Sequence, residues 1–267
     1  MGALSGETPA DPTTAGLPAR PRVGHDDLVP ATESSDPSCD PAPVPRHVGV
    51  VMDGNRRWAR RAGLASASEG HRRGADHVED LLAWCEARRV EHLTIYVLSA
   101  DNIRKRSGTE IEFLFGLVAD VLPDLVVRAG SWSLHVSGDT GLLPGRAATA
   151  LSDAEERTEG RPLHLTLAIG YDGREDIVAG IRGALLECAT DPGRALEPDD
   201  ITAHLGGGPV KEIDLVIRTS GEQRLSGFFP WQVAHAHAHV SPQLWPDFLE
   251  ADFDRALRDF AAARART

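Results

Sequence analysis

Apolar residues follow two rhythms along this chain. Short, nearly unbroken apolar runs at residues 47–52, 92–98, 133–136, 163–169 and 214–217 predict strands buried on both faces. Between them, apolar residues return every three or four positions. Val78, Leu81, Leu82 and Cys85 do so behind a serine-rich start with Glu69, a helix-opening pattern. Ile111, Leu114, Phe115, Val118 and Leu122 form a second set, Ile177, Ile181, Leu185 and Leu186 a third, and Phe253, Ala256, Leu257 and Phe260 a fourth. Strands alternating with helices predict an α/β fold, with a central, mostly parallel sheet flanked by helices.

Residues 1–45 break this pattern. They are rich in Pro, Ser and Gly and hold nine of the 18 prolines, with few large apolar side chains. Such a stretch cannot bury enough surface to offset its ordering entropy, and it reads as a disordered tail. Residues 46–267 then form one catalytic-sized domain.

Composition narrows the function classes. A net charge of -12 argues against nucleic acid as a partner. No run of about 18 apolar residues occurs, so no membrane-spanning segment is expected. The N-terminus lacks a charged-then-apolar export pattern, and the three cysteines are widely spaced. A reducing, cytoplasmic setting follows as the expectation. Arginines nevertheless crowd one place, at 56, 57, 60, 61, 72 and 73. They suit either a small anionic ligand or a solvated helix face.

Polar turns follow the strands, and ligands of open α/β sheets bind beyond strand carboxyl ends. The first turn is Asp53-Gly54-Asn55-Arg56-Arg57. Its glycine allows close backbone approach, its arginines suit phosphate, and Asp53 is a candidate Mg²⁺ ligand. The same triplet also suits a plain Asp-Gly turn. His71 opens a predicted helix, where it could point towards an anion. Arg218, Arg224 and Ser226 around a glycine loop could clamp a second phosphate group. No GxxxxGK[ST] loop and no strand-following GxGxxG is present, nor the DDxxD motif of all-helical prenyltransferases.

These blocks together resemble the cis-prenyltransferase (undecaprenyl diphosphate synthase-like) family. The carriers are HVGVVMDGNRRW at 47–58, Gly70-His71 with Gly74, Ser99-Ala100-Asp101-Asn102, IDLVIRTSGEQRLS at 213–226, Trp231-Gln232 and LWPDF at 244–248. The resemblance covers about residues 46–265. It implies a homodimer with Mg²⁺ at Asp53, isoprenyl diphosphate substrates and an apolar tunnel beside the diphosphate sites. It assigns the allylic diphosphate to Gly54, Asn55, Arg56, Arg57 and His71, with Trp58 in the same block. Arg218, Arg224, Leu225 and Ser226 fall to the second substrate, and Asn102 with His71 to the proton that must be lost. Ser99, Ala100, Asp101, Ile103 and Lys105 belong to the segment around Asn102.

The departures from the family pattern are equally specific. Ile103 stands where the family has tryptophan, and Lys105 where it has arginine. The arginine usual before His71 is missing from residues 65–68, and Tyr171-Asp172-Gly173-Arg174 replaces a Tyr-Gly-Gly-Arg pattern. His237 replaces the glutamate of a WQxAYxE segment, inside a His235, His237, His239 run. Histidine is a poor Mg²⁺ ligand and a good base near neutral pH, so His237 is expected to be catalytic. Packing or adventitious metal binding is the alternative for the run. A few family members join two dimethylallyl diphosphates head to middle, giving lavandulyl or cyclolavandulyl diphosphate. That reaction is the favoured expectation. Short-chain cis elongation with isopentenyl diphosphate, or a non-catalytic scaffold subunit of a heterodimer, are the alternatives.

Overall fold

The structure, a computed structural model, describes residues 43–106, 108–189 and 193–266. The expected tail at 1–45 lies almost wholly outside them. The elements run β1 (His47–Val51), α1 (Asn55–Arg61), α2 (Ala67–Ala87), β2 (His92–Ser99), α3 (Ala100–Lys105), α4 (Gly108–Asp120), α5 (Leu122–Ala129), β3 (Trp132–Ser137), α6 (Gly145–Thr158), β4 (Leu163–Tyr171), α7 (Gly173–Cys188), α8 (Pro198–Ala203), β5 (Leu215–Arg218), β6 (His237–Val240) and α9 (Glu250–Arg264). The strands form one parallel sheet in the order β3-β4-β2-β1-β5-β6.

The five expected strands are present within a residue or two of their bounds. β6 is the strand the sequence pattern hid, because its alternating histidines and alanines lack a branched apolar core. α2 opens as anticipated: Ser66 caps it and Glu69 reaches back to complete a capping box. The set ending at Leu122 divides, with α4 stopping at Asp120 and Leu122 starting α5. On α7 the inward face is Gly180 and Ala184, while Leu185 and Leu186 point to solvent.

The main core lies on the face covered by α2, α4, α5, α6 and α9. A smaller cluster around Tyr171, Val216, Phe228 and Phe229 covers part of the other face. From β1 the chain goes to β2 on one side, and much later to β5 on the other. The strand order therefore turns at β1, and a crevice opens above its carboxyl end. Next to that crevice the β2–β4 register slips between Tyr96 and Ser99, which re-aims the strand end.

At the opposite end of the sheet, histidines occupy successive strands. His47 lies beside His92, and His92 beside His164, at one level of the ladder. The His92 and His164 rings stack at 4.9 Å, and His135 Nε2 lies 3.0 Å from His164 Nδ1. His47 donates from Nδ1 to the Glu212 carbonyl at 2.9 Å and accepts at Nε2 from the Thr94 hydroxyl at 2.8 Å. A neutral ring satisfies that arrangement. Burial and the neighbouring His92 push His47 down to about 3. Burial likewise lowers His92, His135 and His164.

Stability should therefore depend on pH with a defined sign. The unfolded chain binds protons below about 6.5, whereas the folded chain keeps His47 neutral down to about 3. Stability is complete above pH 6.5 and is lost as pH falls towards 3. His47 alone should cost about 2 kcal/mol at pH 5. Urea titrations at pH 7.5 and 5.0 check this; an unchanged midpoint would refute a neutral ladder.

Candidate active site

The site forms where β1, β2 and β5 end. The turn after β1 is pinned to β5 through Thr219, which is fully buried. Asp53 N–H donates to Thr219 Oγ1 at 2.9 Å, and that hydroxyl donates to the Asp53 carbonyl at 2.7 Å. Gly54 then turns the chain into α1 at a φ of 116°. A Cβ there would lie 2.9 Å from the Leu244 side chain, so conformation and packing both require glycine.

Asp53 is held with its side chain about one-third exposed. Arg218 Nη2 donates to Asp53 Oδ2 at 2.9 Å, and Arg57 Nη2 lies 3.6 Å from the same oxygen. Arg218 is only 4% exposed. Its Nη1 donates to the Arg224 carbonyl and, at 3.0 Å, to Ser226 Oγ. Thus one buried guanidinium ties the metal-candidate carboxylate to the 224–226 loop.

Above this floor lies a cavity of about 630 Å³. Asp53, Gly54, Asn55, Arg56, Arg57, His71 and Arg224 all line it, as anticipated. Arg60, from the same crowd of arginines, lines it too, and Ser66, Arg106 and Glu222 do so unanticipated. Arg56 and Arg60 sit one helical turn apart, a spacing that could have signalled their common face. At Met52, Asn55 and His71 the polar cavity meets an apolar one of about 40 Å³, walled by Ala75, Val97, Leu98, Leu114, Leu117, Val118 and Leu122.

Behind the cavity wall sits Glu110 of α4, with its side chain 17% exposed. Its Oε1 lies 3.0 Å from His71 Nε2, 3.2 Å from Arg106 Nη1 and 4.0 Å from Arg56 Nε. Burial lowers the His71 pKa most; the Glu110 hydrogen bond opposes this and Arg106 adds to the lowering. His71 is therefore neutral near pH 7.

Several expected residues take other places. Lys105 is exposed and paired with Asp101 at 2.5 Å, so it does not supply the cation of this segment. Arg106, one residue later, turns into the cavity instead. Ser99 caps α3 by accepting from Asn102 N–H at 3.1 Å, and Ala100 is buried beside it. Asn102 and Ile103 are half-buried, Ile103 against the main core. Trp58 donates to Asp247 at 2.7 Å and braces α1 rather than lining the cavity. Leu225 packs on the Phe228 cluster, and Ser226 faces Arg218.

His237 corrects a larger expectation. It begins β6 opposite Leu215, three residues before the carboxyl end of β5. Its ring lies 6.5 Å from Phe260 of α9, and it does not line the cavity. His239 shares that face and pairs with Asp259 at 2.8 Å. Two-residue periodicity on a strand sends both rings beneath the sheet, so His237 packs within this chain rather than acting beside Asp53.

Arg218 and Arg224 should consequently differ when truncated. Arg218→Ala should cost roughly 1.5–3 kcal/mol of stability, because it strands Asp53 and the loop. Arg224, 72% exposed at its side chain, should cost under about 0.5 kcal/mol. Its loss should instead weaken inorganic diphosphate about ten- to a hundredfold in calorimetric titration. Equal melting temperatures for the two variants would contradict the buried tie.

Comparison with known proteins agrees with this geometry. The family described as "Putative undecaprenyl diphosphate synthase" matches residues 51–267. An isoprenyl transferase of Streptomyces fradiae is 42% identical over 234 residues, covering 84% of this chain and 90% of that one. A (2Z,6E)-farnesyl diphosphate synthase of Mycolicibacterium smegmatis is 40% identical over 233 residues, covering 84% and 88%. Among solved structures, lavandulyl diphosphate synthase from Lavandula x intermedia in complex with dimethylallyl diphosphate aligns with a TM-score of 0.76 at 32% identity. That alignment covers 82% of this chain and 95% of the other. The cavity's carboxylate and arginines, the parallel sheet beneath them and these likenesses have one reading: the chain belongs to the undecaprenyl diphosphate synthase family of prenyltransferases.

Proposed function

We propose that this prenyltransferase condenses two small isoprenyl diphosphates into a short product, releasing diphosphate, and that it joins two dimethylallyl diphosphates head to middle. The observation that carries the short product is the apolar cavity beside the polar one. At about 40 Å³ it has room for only a few water-sized groups. A five-carbon tail would fill it, and a long polyprenyl chain would not enter without displacing Leu117, Val118 or Leu122. The lavandulyl diphosphate synthase likeness and the absence of tryptophan at Ile103 support the head-to-middle course.

The chemistry follows from the lining. The C1–O bond of the allylic diphosphate breaks, and negative charge grows on the leaving group. Arg56, Arg57, Arg106 and Arg224 provide charge-assisted donors around that charge, preorganised by helix α1 and the 218–226 tie. The double bond of the second substrate attacks C1, and a proton is then lost to restore a neutral alkene.

Mg²⁺ fits the donor set. The described residues contain no cluster of three or more metal-binding side chains. Two carboxylates line the cavity: Glu222 is paired with Arg224, and Asp53, at the strand end, would hold an ion that takes its other ligands from diphosphate oxygens and water. When bound there, Mg²⁺ neutralises charge on the departing diphosphate. The same reading makes the protein a homodimer; Val178, Leu185 and Leu186 of α7 leave an apolar strip, with Leu186 74% exposed. No helix among the described residues is long and apolar enough to cross a membrane, which is compatible with a cytoplasmic enzyme.

A second reading is short-chain cis elongation, favoured by the likeness to a (2Z,6E)-farnesyl diphosphate synthase. Product analysis separates the two. With Mg²⁺ and dimethylallyl diphosphate alone, a C10 diphosphate is expected. Product formed only when isopentenyl diphosphate is added would replace the first reading with the second. Released phosphate without a new carbon–carbon bond would remove both. Asp53→Asn, which keeps the side-chain shape, should lower turnover roughly 10²–10³-fold at saturating Mg²⁺. Turnover within a few-fold of wild type would take Asp53 out of the reaction.

A further inference from the structure

We propose that Glu110 is a positioning residue that holds His71 as the proton acceptor of the condensation. The inference rests on the reaction proposed above and on the proton-handling role that the family resemblance implies for His71; what it adds is the part of Glu110.

Loss of a proton from the coupled cation needs an acceptor on the cavity wall. His237 is not there, and His71 is: it lines both the polar and the apolar cavity, at their junction. That junction is where the hydrocarbon of a bound substrate leaves its diphosphate. A carboxylate only accepts hydrogen bonds, so the 3.0 Å contact with Glu110 places the ring proton on His71 Nε2. Nδ1 then carries the lone pair, and it has no hydrogen-bond partner among the described residues. The charged groups that face the ring are Glu110 on α4, Arg106 just after α3 and Arg56 on α1. With two arginines nearby and most of the ring buried, the imidazole stays neutral until a proton arrives.

The step balances. A C–H bond next to the cationic carbon breaks, and its electron pair becomes the new C=C bond. The proton moves to His71 Nδ1. The resulting imidazolium keeps Nε2–H directed at Glu110, whose negative charge offsets the charge gained. The orienting carboxylate, imidazole and acceptor site follow the logic of nucleophile–base–orienter constellations, with carbon acid in place of hydroxyl. Glu110 does not line the cavity, which is why its part is orientation and not contact with substrate.

A purely structural reading of Glu110 is that it gathers Arg106 and Arg56. The two readings differ in measurable ways. Glu110→Gln keeps the volume and an acceptor oxygen but removes the charge. It should lower kcat roughly ten- to a hundredfold, with KM for the allylic diphosphate changed less than about threefold. The acid limb of the kcat–pH profile should move to lower pH, because the lost carboxylate no longer favours the imidazolium. Glu110→Asp, which retains the charge, should keep the limb near its wild-type position, and it carries the test should Glu110→Gln melt at the assay temperature. In a His71→Ala background, Glu110→Gln should cost little more, since both act on one step. Equal losses in both backgrounds, or a loss confined to KM, would overturn the proposal and leave Glu110 as a tether for arginines. Absence of product from the wild-type enzyme would instead fell the proposed reaction itself.

Discussion

Everything at the site hangs on one guanidinium buried where β5 ends. Arg218 meets Asp53 on one side and the 224–226 loop on the other, while Thr219 locks the backbone of the β1 turn. Parallel strands bring their carboxyl ends to one edge, but the ends alone would leave three loops free to drift. A fork of donors, almost fully removed from water, fixes the carboxylate and the loop in one geometry. Burying such a charge is costly unless its donors are paired; here both terminal nitrogens are engaged, while Nε has no partner among the described residues. The arginine that looked like a ligand clamp is thus the frame on which the clamp is mounted.

From that frame the cavity divides by chemistry. The polar part is walled by α1, which sends Arg56, Arg57 and Arg60 into it. The apolar part is walled by α2, β2 and α4, whose Leu98, Leu114 and Leu117 belong to the main core. α1 and α2 approach so closely that a Cβ on Gly70 would lie 2.2 Å from the Asn55 carbonyl oxygen. This contact brings His71, the next residue, to the junction of the two parts. A polar and an apolar wall therefore adjoin, with an imidazole at their junction.

The two ends of the sheet carry opposite electrostatic demands. At the carboxyl end, Arg56, Arg57 and Arg224 face an open cavity and stay partly solvated. At the amino end, His47 and His92 are buried and His135 and His164 half-buried, and burial lowers the pKa of all four. One end stores positive charge for binding, and the other excludes it for folding, with strands of only four to nine residues between.

The sequence by itself determined the strand and helix alternation and the all-but-complete set of strands, and it marked the block from Asp53 to Arg57 as a candidate anion and metal site. Those signals are local: apolar runs, helical spacing, a cap, a glycine turn. Family resemblance added His71 and Arg224 to the same cavity. Only tertiary structure decided which neighbours share a wall. It chose Arg106 over Lys105, because one residue's change in direction at the end of a short helix swaps solvent for cavity. It buried Arg218, and it turned His237 beneath the sheet, because a weakly apolar strand shows its face only once paired with β5. It also joined Glu110 to His71 across 39 positions of chain. No local pattern encodes such a contact, since it arises from how α4 packs against α2.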